Sequence, residues 1–189
     1  MNLPNKLTLL RLVLAVLFVV CLSVSFPWHL TVALALFLLA TLTDYLDGEI
    51  ARRCQLITDF GKLMDPLADK VLTASAFICL IPYGALPAWA VIVIISREFL
   101  ITGLRLLASS KGIVLPAEKL GKHKTAWQMI SILYFLGLLA WKAPAAGSPL
   151  FLPQPWQGIG VALVTITVVL TLFSGLAYFW KNRHLLATG

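Results

Sequence analysis

Acidic side chains are scarce in this chain of 189 residues: eight Asp and Glu stand against 15 Lys and Arg, leaving a formal net charge of +7. Charged residues of both signs together make up 12%, against 60% hydrophobic ones, far from the balance with which a soluble domain covers its surface. A soluble fold is thereby excluded, and nucleic acid is not an expected partner, because no soluble domain remains to present the positive charge. The cysteines number three, Cys21, Cys54 and Cys79, an odd count without metal-ligand spacing, so neither a disulfide framework nor a zinc site is expected. Linkers, low-complexity stretches and clear internal repeats are missing as well. So is the alternating apolar and polar pattern of a membrane β-barrel.

Long apolar runs are what remains, each close to the roughly 20 residues that a helix needs to cross a bilayer. They predict an all-α integral membrane protein, a single membrane domain over residues 1–189 with six transmembrane helices, at 7–26, 29–52, 61–82, 86–107, 119–141 and 156–180. The first run follows Lys6 and Arg11 and ends near "SVS", in the manner of a cleavable signal. The connection after it is only a few residues long and the topology requires it, so it is read as a retained helix. With both termini inside, Lys6, Arg11, Arg52, Arg53, Lys62, Lys111, Lys119, Lys122, Lys124, Lys181 and Arg183 fall at cytoplasmic ends, and the opposite loops carry only Lys142. The excess charge is thus an inside charge that also suits anionic headgroups. Trp28, Trp89, Trp127, Trp141, Trp156 and Trp180 all lie near predicted helix ends, as an aromatic belt requires. "KAPAAGSPLFLPQP" is the longest outer connection and breaks helices.

Six of the eight acids crowd into one stretch, "DYLDGEIARRCQLITDFGKLMDPLADK", between two of these runs. A carboxylate inside a membrane helix costs a few kcal/mol, so it is expected to pair, bind a cation or face water. Asp44 and Asp47 are three apart and Asp65 and Asp69 four apart, which sets each pair along one face of its helix. A short connection makes the two helices antiparallel neighbours and lets the pairs converge. Four hard oxygen donors in a small volume suit Mg²⁺, Mn²⁺ or Ca²⁺, and two such ions would clamp a phosphate. Gly48 would let a ligand approach the backbone, Arg52 would bind a phosphate, and Gly61 opens the next helix with exposed N–H groups that favour an anion. Asp59 is expected to be a solvated loop residue. Pairing of the carboxylates with Arg52, Arg53, Lys62 and Lys70 is the competing structural explanation.

"DYLDGEIAR", followed after eight residues by "GKLMDPLAD", fits the pattern DxxDGxxARx8GxxxDxxxD without departure. In this the chain resembles the CDP-alcohol phosphatidyltransferase family, and "LPNKLTLLR", "SREFLITGLRLLA" and "GKHKTAWQM" extend the likeness over most of its length. The resemblance implies six transmembrane helices around a polar cavity that faces the cytoplasm, in a homodimer in the inner membrane of a bacterial-type cell. It implies a two-metal site, Mg²⁺ or Mn²⁺, at Asp44, Asp47, Asp65 and Asp69, with Asp69 also the general base. By the same resemblance Gly48, Arg52 and Thr58 bind the head of CDP-diacylglycerol, and Asn5, Thr8 and Arg11 of the first helix are further candidates. The implied reaction is attack by the primary hydroxyl of sn-glycerol 3-phosphate on the β-phosphorus of CDP-diacylglycerol, releasing CMP and leaving phosphatidylglycerophosphate.

The signature describes the phosphotransfer core, and the acceptor is chosen elsewhere. Glycerol 3-phosphate is a dianion, so its pocket needs cations beyond those that topology explains. Arg97 and Arg105 lie eight apart on the fourth helix, roughly on one face, and Lys119, Lys122 and Lys124 open the fifth. Arg97 stands deep in an apolar helix, where an arginine is expected to be functional unless it pairs with Glu98 or a cluster aspartate. Two alternatives are weighed. A relative in the same family would use inositol phosphate, phosphatidylglycerol or serine instead. A small cation transporter would also need intramembrane aspartates, but it would be expected to show repeats or matched broken helices.

Overall fold

The computed structural model describes residues 3–54, 59–110, 113, 119–142 and 156–183; within these helices the side chains at 3–4, 45–54, 59–63, 65, 110, 119–120 and 122 fall outside the description. Among the described residues the chain is all-helical, with α1 (Leu3–Ser23), α2 (His29–Cys54), α3 (Asp59–Leu80), α4 (Ala88–Ser110), α5 (Lys119–Lys142) and α6 (Trp156–Asn182). Each matches an expected helix within a few residues. α1 starts four residues before the expected Leu7 because Pro4 sits in its first turn, where a missing N–H breaks no intrahelical bond.

The chain divides into two compact units, Met1–Ala85 with Ile132–Phe151 and Leu86–Ser131 with Leu152–Gly189. In the first, α1 packs against α2 and α3. Small Ala15, Ala33 and Ala40 are buried there and let the helices approach, while the Phe18 and Phe37 rings meet at 5.6 Å between centroids. α3 ends in a Schellman turn: Gly84 takes φ +69°, its N–H donates to the Ile81 carbonyl, and the Ala85 N–H donates to the Leu80 carbonyl. This turn fixes buried Tyr83, whose hydroxyl donates to the Leu22 carbonyl at 3.1 Å. The end of α1 is thereby tied to the end of α3. Tyr83→Phe is expected to lower stability by about 1 kcal/mol, the net worth of one hydrogen bond. Thermal unfolding in micelles measures it, and an unchanged midpoint would mean that the tie contributes nothing.

In the second unit α4 packs against α6, with Ile101, Leu104 and Tyr178 forming a buried cluster. The contacts pair Arg97 with Ser174 and Arg105 with Tyr178, so the two helices run parallel.

Polarity is inverted along α1. Asn5, Thr8 and Arg11 are buried, whereas Leu10, Val13, Val16 and Val20 face outward. Such a surface suits hydrocarbon rather than water. Asn5–Ser23 and Trp156–Asn182 are each long and apolar enough to cross a membrane. Trp28, Trp89, Trp141 and Trp180 stand exposed at helix ends, and Lys142 and Arg183 lie over the Trp141 and Trp180 rings.

Candidate active site

Asn5, Thr8 and Arg11 recur every three residues and so share the inner side of α1. The Arg11 guanidinium has no exposed surface, and its Nη1 lies 2.8 Å from Oδ1 of Asp44, a carboxylate that is 47% exposed. α1 therefore brings a fixed positive charge to the first aspartate of the signature. A buried guanidinium without a carboxylate would carry a large desolvation penalty, and the pair offsets it.

Asp47, Gly48 and Arg52 follow on the last turns of α2, and Gly61 and Asp65 lie on the first turns of α3. Their side chains are outside the described residues, and Thr58 lies outside them altogether. Asp69 is half-buried on α3, and its carbonyl accepts a 3.0 Å bond from the Thr73 hydroxyl. Between Asp65 and Asp69, Pro66 removes one donor from the helical ladder, and its own carbonyl accepts from Lys70 Nζ at 3.2 Å.

Among the described residues no three metal-ligating side chains come together. The donor set nevertheless fits a hard divalent cation. All four signature positions are aspartates, no thiolate or imidazole stands among them, and the half-exposed Asp44 carboxylate is open to a ligand from solvent.

The cations of the second unit have distinct surroundings. The Arg97 side chain is only 12% exposed; Nη1 reaches the Glu98 carboxylate at 3.4 Å and Nη2 donates to the Ser174 hydroxyl at 3.3 Å. Gly175 makes room for it, since a Cβ there would stand 2.8 Å from Arg97 Cγ. Lys124 is buried, and its ammonium pairs with the same Glu98 carboxylate. Glu98 thus links two of the cations expected to bind phosphate, a role that its position next to Arg97 only half reveals. Arg105 is exposed; its Nε donates to the Tyr178 hydroxyl at 3.1 Å, and its guanidinium carbon lies 5.3 Å from the centre of the Tyr178 ring. Lys119 and Lys122 lie on the first turn of α5, with side chains outside the described residues. Ser174 and Tyr178 were not among the expected site residues.

Compared with known proteins, the chain matches the family model described as CDP-alcohol phosphatidyltransferase over residues 1–174. It is 40% identical to the CDP-diacylglycerol--glycerol-3-phosphate 3-phosphatidyltransferase of Bacillus subtilis (strain 168), over 99% of this chain and 98% of that protein. The protein of the same name from Rickettsia bellii (strain RML369-C) is 32% identical over 94% of this chain and 93% of its own length. A probable phosphatidylglycerophosphate synthase of Mycobacterium tuberculosis (strain ATCC 25618 / H37Rv) is 37% identical over 94% of this chain and 79% of its own length.

Proposed function

Because the chain belongs to the CDP-alcohol phosphatidyltransferase family, we propose that it transfers the phosphatidyl group of CDP-diacylglycerol to sn-glycerol 3-phosphate, giving phosphatidylglycerophosphate and CMP. The names of relatives up to 40% identical over 99% of the chain support this acceptor. One observation carries the chemistry: the full signature spans the end of α2 and the start of α3, where its first aspartate meets a buried arginine.

Asp44, Asp47, Asp65 and Asp69 would hold Mg²⁺ or Mn²⁺ in a two-metal site. Bound there, a divalent cation supplies positive charge against the diphosphate and the departing CMP. The protein's own groups do the rest. Arg52, Gly48, Gly61 and Thr58 hold the CDP head, aided by Asn5 and Thr8, while Arg11 keeps Asp44 in place. Asp69 takes the proton of the attacking primary hydroxyl as its oxygen bonds to the β-phosphorus, and the bond to CMP breaks with its electron pair leaving on CMP. Arg105, with Arg97, Lys119, Lys122 and Lys124, balances the acceptor's phosphate dianion.

The same reading embeds all six helices in the inner membrane of a bacterial-type cell as one domain, as a homodimer, with the signature facing the cytoplasm. Its support is the basic residues at the inner ends, the tryptophans at helix ends and the outward apolar faces.

The test supplies purified enzyme with CDP-diacylglycerol, Mg²⁺ and a panel of acceptors. CMP release is expected with sn-glycerol 3-phosphate and lost on chelation. Release with inositol phosphate, phosphatidylglycerol or serine but not with glycerol 3-phosphate would move the chain to another branch of the family.

A further inference from the structure

We propose that Tyr178 is a positioning residue for the acceptor's phosphate, acting through Arg105; this rests on the acceptor reading above. An exposed arginine on a flexible stem loses side-chain freedom when a ligand fixes it, and that loss weakens binding. Here the freedom is removed beforehand. Tyr178 is buried against Ile101 and Leu104, so its hydroxyl is fixed relative to α4. That hydroxyl accepts the Arg105 Nε–H at 3.1 Å while the ring lies beside the guanidinium. With Nε engaged, the two terminal nitrogens form the outward edge of the fork, the geometry that grips a phosphate through two parallel hydrogen bonds.

The contrast with Arg97 sharpens the assignment. Both Arg97 terminal nitrogens already face protein oxygens, Glu98 and Ser174, and the side chain is almost enclosed. Arg105 is the exposed one, and its terminal nitrogens have no hydrogen-bond partner among the described residues. α6 thus treats the two arginines differently: Ser174 and Gly175 seat one, and Tyr178 aims the other. Pre-setting a fork favours the ligand whose charge matches it, here a phosphate monoester over a neutral alcohol.

Tyr178→Phe keeps the ring and deletes the acceptor oxygen. KM for glycerol 3-phosphate is expected to rise about tenfold, as for a lost hydrogen bond to a charged group, with kcat and KM for CDP-diacylglycerol within about twofold of the parent. Arg105→Ala is expected to raise the same KM further, and adding Tyr178→Phe to it should change KM by no more than about twofold, since the tyrosine then has nothing to aim. If Arg105→Ala raises KM but Tyr178→Phe leaves it unchanged, or acts equally in both backgrounds, the positioning role is overturned while the acceptor reading stands. If Arg105→Ala leaves KM for glycerol 3-phosphate unchanged, the acceptor role of Arg105 falls and the positioning role with it.

Discussion

Asp69→Asn is expected to lower kcat by about 10²- to 10⁴-fold, the usual contribution of a positioned general base. KM for CDP-diacylglycerol should move by less than about threefold. The substitution keeps the size and one carbonyl oxygen of the side chain but removes its capacity to accept a proton from an alcohol. Because an Asn carbonyl is a weaker ligand for a hard cation than a carboxylate, the measurement belongs at saturating Mg²⁺. Asp69 lies on a helical segment whose next turn is braced by the Thr73 hydroxyl on the Asp69 carbonyl, so the backbone is expected to survive the change. Retained turnover at saturating metal would remove Asp69 from the base role and return it to ligation alone.

The second large effect concerns stability without any metal. If Asp44 served only as a ligand among crowded carboxylates, removing it in the presence of a chelator would relieve repulsion and raise stability. The Arg11 pair predicts the opposite. Asp44→Ala takes its carboxylate away from a guanidinium that has no exposed surface, and losing a hydrogen-bonded charge partner costs about 1.5–3 kcal/mol. Thermal unfolding in micelles with chelator present is expected to show a clear drop, and a variant as stable as the parent would refute the structural half of Asp44's role.

Where the helices lie was legible because apolar length is a local signal, whereas the start of α1 ahead of Leu7, with Pro4 in its first turn, and the end of α3 before the turn at Gly84 were not read from it. That Asp44 and Asp47 fall on α2 and Asp65 and Asp69 on α3 was legible for the same reason, since helical spacing is a local property. Arg97 and Arg105 stood out as cations in an apolar helix. Their partners did not, because Ser174 and Tyr178 lie 77 and 73 residues further along and resemble ordinary residues of a membrane helix. The link from Lys124 to Glu98 crosses 26 residues and was equally hidden. Arg11 was expected at the site through resemblance alone. That it meets Asp44 depends on how α1 packs on α2, which no single-helix periodicity encodes.

The parallel pairing of α4 with α6 also sets an order of assembly. A ribosome delivers Arg97 and Arg105 long before Ser174 and Tyr178, which lie 77 and 73 residues further along. Throughout that interval the nascent chain holds its complete aspartate signature but neither guanidinium has its α6 partner. The arginine scaffold therefore waits for the last of the six helices, and synthesis of α6, rather than insertion of the first helices, marks the moment when Arg97 and Arg105 can be seated.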